Sequence, residues 1–333
     1  MSATIRDITR VTGLSVATVS KFLNGRNVLP ENREKIEKAI TELRYEVNEV
    51  ARCLATSRTK TIGVLIPNLE NIFACSIISD IEDFLRRQGY GTIICDCRGD
   101  PDVEKEELDF LCSKRVDGII TIPSSNVPGY LARALSREIP VVLVDRTFNE
   151  GGFDSVLSDN AEASREAVSA LISRGHRRIG IICGKHEYYT ARERLAGYSE
   201  ILLKSGISYI NDLVQEGELS VQHGYEGIKR LLALKDPPTA VYLTNYEITL
   251  GAIIAMNELG VRFPDNLSII GFDNLMLAQV VNPRLWMVVQ PMHEIAKTAA
   301  KVMLGRLDGS LQDPYFTYRL KTTLVEGDSI RQM

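Results

Sequence analysis

Apolar residues recur at helical spacing from the start of the chain, at Ile5, Ile8 and Val11. Thr4 precedes them with Asp7 three residues on, a pairing in which side chain and backbone amides satisfy one another at a helix start. Gly13 ends this first helix without a Cβ penalty, Ser15 can cap a second, and Val19, Phe22 and Leu23 give the second an inward face. Its outward face is left to Val16, Ala17, Ser20 and Lys21. A third helical pattern runs from Glu34 to Tyr45, with Ile36, Ala39, Ile40 and Leu43 on one face and Pro30 ahead of it in a first-turn position. Three helices this close together predict a closed unit, and the turn at Gly13 to Ser15 predicts a helix-turn-helix built to enter a DNA groove.

Asn48 to Thr56 follows, with Val50, Ala51 and Leu54 apolar and nothing obvious to bury them. A free-standing helix that short is marginal in water, so it is expected to order only when held by DNA and a second copy of the chain. The competing view packs Leu54 on the core. Ser57 to Thr61 reads as a polar tether. Beyond it, short apolar runs alternate with amphipathic helices: Thr61 to Ile66, Gly91 to Cys95, Val116 to Ile122 and Val141 to Asp145, then Arg178 to Cys183, Leu213 to Glu216, Ala240 to Thr244 and Leu267 to Phe272. The helices between them include Ala161 to Arg174 and Ser220 to Leu234. Such alternation predicts two doubly wound parallel sheets, and two halves of this kind face each other across a cleft at the carboxyl ends of their strands.

Charge sharpens the division. Residues 1–60 carry eleven Lys or Arg against seven Asp or Glu, a balance of +4 in a chain whose net charge is −4. Positive charge thus gathers where phosphates would be met. No cationic segment followed by an apolar stretch opens the chain, and no apolar run approaches the roughly 20 residues that span a bilayer, so a cytoplasmic protein is expected. Cys53, Cys75, Cys95, Cys97, Cys112 and Cys183 are scattered and read as buried reduced thiols, and His176, His186, His223 and His293 make no metal motif. No nucleophile elbow, Walker A string or dinucleotide-binding glycine fingerprint is present, so neither an enzyme nor a cofactor is expected.

The strings TIRDITRVTGLSVATVSKFLNG and LRYEVNEVARCLAT resemble the LacI/GalR family of transcriptional regulators, and the resemblance continues to Arg319 through RVDGIIT, PVVLVDR, SDN, GHRRIGII, ARERLAGY, DPPTAVYLTN, FPDNLSIIGFDN and VVQPMHEIA. It implies an all-α helix-turn-helix domain over residues 1–47, a hinge helix and linker over 48–60, and a periplasmic-binding-protein-like α/β core over 61–333. The core would comprise an N-subdomain of 61–159 and 291–322 and a C-subdomain of 160–290 and 323–333. The second helix would lie in the major groove, with Val16, Ala17 and Lys21 on bases and Thr4, Ser15, Thr18, Ser20 and Asn24 near phosphates. Ala51 and Leu54 would meet the minor groove, where paired leucines wedge into a base step. Lysine at position 21 replaces a commoner arginine and lacks the two-pronged fit of a guanidinium to guanine.

In the core the resemblance implies an effector site of Asn68, Phe73, Ser124, Asp145 and Arg146 from one half. The other half would supply Arg192, Arg194, Leu219, Asn245, Asp273 and Trp286, with Gln290 near the crossover. Charged hydrogen-bonding groups such as Asp273 and the arginines of ARER suit a polyhydroxylated ligand, a sugar or its derivative. Asp273 could instead be a turn residue, and one of Arg192 and Arg194 could pair on the surface with Glu193 or Glu187. Leu219 stands where relatives often place an aromatic ring. Trp286 and Met287 replace a threonine pair, so Trp286 is either an apolar platform in the cleft or a core residue. Tyr246 replaces an aspartate and removes a candidate N-cap, and Gly327 replaces an arginine of the closing strand. The tail shows no leucine heptad, which favours a homodimer on a near-palindromic operator over a tetramer. The competing reading, a solute-binding protein of a transport system, shares the core but would have no use for residues 1–60.

Overall fold

In the computed structural model, residues 3–23, 27–45, 58–148, 151–273 and 275–333 are described, and the chain divides into two units, Met1–Thr59 and Lys60–Met333. The first unit holds α1 (Ile5–Thr12), α2 (Val16–Leu23) and α3 (Pro30–Leu43). The Asp7 carboxylate accepts from the Thr4 backbone N–H at 2.9 Å and from the Thr4 hydroxyl at 2.7 Å, which fixes the start of α1. Gly13 turns the chain in the left-handed region, φ 70°, and donates to the Thr9 carbonyl at 2.9 Å. The Ser15 hydroxyl oxygen accepts from the Thr18 N–H at 3.2 Å and starts α2.

Ile8, Val19, Ile36, Ala39 and Tyr45 close the core of this unit, with Leu14, Phe22, Leu23, Ile40 and Leu43 packed around them. Val11, expected on the inward face, is exposed. At ~100° per residue Ile5 and Thr12 both fall on one side of Ile8 and Val11 on the other, and the buried stripe centres on the first pair. Ala51, Leu54 and the rest of the expected hinge up to residue 57 lie outside the described residues, as does Asn24.

The second unit contains two six-stranded sheets. The first is built from β1 (Thr61–Ile66), β2 (Gly91–Asp96), β3 (Gly118–Thr121), β4 (Val141–Val144), β5 (Asp154–Ser158) and β11 (Thr317–Leu320), in the order β11-β5-β4-β3-β1-β2. All its pairings are parallel. The second takes β6 (Ile179–Gly184), β7 (Val214–Gly217), β8 (Ala240–Leu243), β9 (Ser268–Asp273), β10 (Trp286–Val289) and β12 (Thr323–Val325), in the order β12-β10-β9-β8-β6-β7. Only β12 runs antiparallel to its neighbour. The central strands read VVLV, AVYL and SIIGFD and are buried along their whole length, as parallel strands covered by helices on both faces require.

Strand order reverses at β1 in one sheet and at β6 in the other, which opens a crevice beyond the carboxyl ends of both. Helices α4 (Ile72–Arg87) and α12 (Met292–Asp308) pack together over the first sheet with Ile77, Ile81, Leu85, Ile295, Ala299 and Met303. In the second, α7 (Asn160–Ser173) and α8 (Tyr189–Lys204) cover one face, and α9 (Val221–Leu232) and α10 (Tyr246–Glu258) the other. Sequence pattern places most of these elements within a residue or two. Val116 to Ile122 shortens to the four residues of β3, and Leu213 leaves the expected strand to end a turn of 3-10 helix before β7. Among the described residues no helix is long and apolar enough to cross a membrane.

Gly327, beyond the last strand, sits hard against backbone. A Cβ there would come within 2.5 Å of the Arg284 and Leu285 carbonyl groups, so a larger side chain at this point has no room without a shift of that segment.

Candidate functional site

On the first unit the outward face of α2 is available to a partner. Ser15, Val16, Ala17 and Lys21 are exposed, Thr18 and Ser20 are half-buried, and Val19 is turned wholly into the core. The Ser15 and Thr18 hydroxyls are 2.9 Å apart, which fixes both at the start of the helix, where backbone N–H groups and the helix dipole favour an anion.

The crevice of the second unit is lined from both sheets. Its inner throat is narrow, about 50 Å³, and is walled by Phe73, Asp145, Arg194, Asn245, Asp273 and Gln290. Outside it lies a mouth of about 550 Å³ bordered by Asn68, Ser124, Arg146 and Leu219. Most of these side chains reach the cleft because a strand ends there. Asp145 follows β4, Asn245 follows β8, Asp273 ends β9, Gln290 follows β10, and Phe73 sits in the first turn of α4 behind its cap Asn71.

Asp145 and Asp273 share an unusual backbone, with φ at 64° and 84°, a region that costs an L-residue energy and is held where the surroundings enforce it. Asp273 is held firmly. One carboxylate oxygen accepts from the Gln290 amide at 2.5 Å and the other from the Tyr246 N–H at 3.1 Å, while Gln290 in turn accepts from the Ser158 hydroxyl at 2.5 Å. This chain of bonds ties β5, β9, the crossover after β10 and the start of α10 together. The expected loss of an N-cap at Tyr246 does not occur, because the Asn245 side chain accepts from the Ile248 N–H at 3.0 Å.

Of the two arginines on α8, Arg194 is the inward one. It is buried, donates to Asn160 at 2.8 Å and to the Thr244 carbonyl, and lies 3.8 Å over the Phe272 ring. Arg192 does not line the throat or the mouth. It is half-buried over the Tyr189 ring and donates to the carbonyls of His186 and Glu187 at 3.4 and 3.2 Å, in place of the expected ion pair. Glu193 pairs with Arg319 instead, at 3.6 Å.

Trp286 is also away from the cleft. It belongs to the core between the second sheet and α7, with the Arg174 guanidinium 4.3 Å from its ring centroid. It does share a face with Val288, but it stands at the opposite end of β10 from the crevice.

Several lining residues carry no sequence signal of their own. Thr190 and Asn71 line the throat, and Asn71 donates to Glu247 at 3.0 Å across the two halves. Asn160, the partner of Arg194, is visible only as the last letter of SDN. Burial pushes the Asp145 carboxyl above the usual carboxylate range, with Arg194 and then Arg146 opposing the rise. Burial likewise raises Glu247.

A carboxyl group whose folded-state pKa lies above its unfolded value contributes stability that is present below the unfolded value, about pH 4, and lost as pH rises through the raised one. Asp145→Asn is therefore expected to flatten the fall in stability as pH rises above about 4, checked by urea unfolding at a series of pH values. An unchanged slope would mean that the carboxyl is not desolvated.

Chemically the throat offers fixed acceptors on Asp145 and Asp273, amides on Asn245 and Gln290, a guanidinium on Arg194 and one ring, Phe73. This combination is chemically suited to a small molecule rich in hydroxyl groups. Among the described residues no cluster of His, Cys, Asp and Glu could hold a metal. Burial pushes the Cys95, Cys97 and Cys183 thiols up to about 12, which leaves them unreactive.

A helix-turn-helix unit followed by a two-sheet ligand-binding core defines a ligand-responsive DNA-binding regulator. Residues 4–48 match the profile of bacterial regulatory proteins, lacI family, and residues 168–330 that of a periplasmic binding protein-like domain. The ribose operon repressor of Haemophilus influenzae is 34% identical over 98% of both chains. The chain belongs to the lacI family of bacterial regulatory proteins, a family of regulators and not of enzymes.

Among solved structures it is similar to the lac repressor dimer bound to operator and the anti-inducer ONPF, with a TM-score of 0.87 and 25% identity over 99% of this chain and 100% of that one. It also resembles a LacI family transcriptional regulator from Enterococcus faecium with bound ribose, with a TM-score of 0.74 and 27% identity over 82% of this chain and 99% of that one.

Proposed function

We propose that this protein is a transcriptional repressor that acts in the cytoplasm as a homodimer and whose hold on a near-palindromic operator is set by a carbohydrate bound in the cleft. In this reading residues 1–47 bind DNA, with Val16, Ala17 and Lys21 reading bases and Thr4, Ser15, Thr18, Ser20 and Asn24 placed at phosphates. Residues 48–60 act as the hinge through Ala51 and Leu54. Residues 61–333 bind effector and form the dimer. Operator binding by the lac repressor dimer and ribose bound to the Enterococcus faecium regulator support it.

The observation that carries the reading is the ring of polar side chains from both sheets at one throat, centred on the Ser158, Gln290, Asp273 and Tyr246 chain of hydrogen bonds. Closing on a ligand that bonds both halves favours one arrangement of the core, and operator affinity changes by as much as that preference allows.

The test is a thermal-shift screen of the full chain with sugars, followed by calorimetry on hits. Asp273→Ala is expected to weaken binding by roughly ten- to a hundredfold, the cost of losing a charged hydrogen-bonding group. Wild-type affinity in Asp273→Ala would mean that the ligand binds elsewhere.

A further inference from the structure

In the throat the carboxyl groups of Asp145 and Asp273 are joined by the guanidinium of Arg194. Arg146 lines both the throat and the mouth, and the mouth adds a second guanidinium from the first half of the core, Arg98, together with three acidic side chains, Glu70, Glu218 and Glu247.

Arg146 donates through one terminal nitrogen to the Pro123 carbonyl at 2.8 Å and lies 5.1 Å from the Tyr188 ring centroid. Its Nε is buried and has no hydrogen-bond partner among the described residues. Ser124, nine-tenths buried beside it, also has a hydroxyl without a partner there. That residue is held in place from behind, since the fully buried Glu104 accepts from the Ser124 and Ser125 N–H groups at 2.8 Å each. Two buried polar groups, fixed by their surroundings and left without partners, carry a cost that a ligand atom would relieve.

Arg98 completes the set. It sits in the left-handed region at φ 52°, where glycine is favoured, in a turn fastened by its own N–H on the Asp96 carboxylate at 3.0 Å and by the Gly99 N–H on the Pro67 carbonyl at 2.6 Å. Its side chain is exposed and forms no ion pair among the described residues. Two of the three acidic groups at the mouth are engaged elsewhere. Glu218 pairs with Lys185 and accepts from Tyr188, and Glu247 accepts from Asn71 and Asn245. Glu70 lies on the exposed rim. From the other half, the start of α9 at Ser220 and Val221 opens onto the same space with its positive dipole end.

We propose that the molecule bound in the cleft carries an anionic group, a carboxylate or a phosphate ester, seated at the mouth between Arg98, Arg146 and the Ser124 hydroxyl. The effector is then two-ended, with hydroxyl groups in the throat and the anion outside, as in a sugar acid or a sugar phosphate. This rests on the reading of the cleft as the effector site.

The experiment is calorimetry on the full chain with ribose and glucose, with gluconate and glucuronate, and with ribose 5-phosphate and glucose 6-phosphate. At least one acid or phosphate is expected to bind more than tenfold tighter than its neutral parent, and the arm in which it falls names the anion. Arg98→Gln and Arg146→Gln are each expected to lower that affinity roughly tenfold or more, and Arg98→Gln is expected to leave a neutral sugar unaffected. Arg98 is exposed, so its variant reads the charge without risk to the fold.

Three results would overturn the inference: neutral sugars binding as tightly as their acids and phosphates, an Arg98→Gln variant with unchanged affinity, or no binding by any charged compound. A neutral sugar that binds as tightly as its acid and its phosphate, and whose binding is lost in Asp273→Ala, would sink the anionic group and keep the cleft. A charged compound indifferent to both Asp273→Ala and Arg98→Gln would sink the cleft reading itself.

Discussion

Replacing Arg194 with alanine is expected to abolish effector binding and to cost the core about 3 kcal/mol of stability, the order found when one partner of a buried charged network is removed. Arg194 touches four things at once: Asn160, the Thr244 carbonyl, the face of Phe272 and the field of Asp145. Its loss strands a buried amide and leaves the Asp145 carboxyl without its main cation, which raises that group further. Arg192→Ala is the matched control, since among the described residues Arg192 meets only two carbonyls and one ring. Urea unfolding and calorimetry read both effects. Equal behaviour of the two variants would refute the assignment of Arg194 as the inward arginine.

Val19→Asp is expected to abolish operator binding while the core melts and binds ligand as before. Val19 is fully buried on the helix that presents Lys21, and it packs with Ile8, Ile36 and Ala39 in a unit too small to absorb a buried carboxylate. The charge costs several kcal/mol in such a site, as much as a domain of this size has to lose. The two compact units of the chain make the effects separable. A loss of ligand binding in Val19→Asp would contradict that independence.

Much of this arrangement was legible from residue order because local rules decided it. The capping pair Thr4 and Asp7, the turn at Gly13 and the cap at Ser15 are short-range chemistry, and all three form as the spacing implies. The apolar strands and the helices between them follow from period alone. Residues placed at strand ends, such as Asp145, Asn245, Asp273 and Gln290, converge because parallel sheets bring those ends together.

What the sequence left open depended on position along an element or on distant partners. Alternation put Trp286, Val288 and Gln290 on one face, yet at ~3.3 Å per residue Trp286 stands roughly 13 Å from Gln290, at the far end of the strand from the cleft. Residues two apart on a helix lie ~200° apart, so Arg192 and Arg194 could not both face inward, but only the partners Asn160 and Thr244 decide which does. The bond between Asn71 and Glu247 joins residues far apart in the chain and has no local signature. The unpartnered Ser124 hydroxyl and Arg146 Nε become visible only once Glu104 and Pro123 are placed around them.

The central claim, that a DNA-reading unit is governed by a ligand-binding core, is tested most directly by selection from a random-sequence duplex pool with the full chain and with residues 60–333, followed by anisotropy titration of the enriched site with and without bound effector. The account predicts a near-palindromic site enriched by the full chain alone, bound with a steep salt dependence, and an affinity that the effector changes in the wild type but not in Asp273→Ala. Enrichment of the same site by residues 60–333, or an operator affinity indifferent to a ligand shown to occupy the cleft, would contradict it.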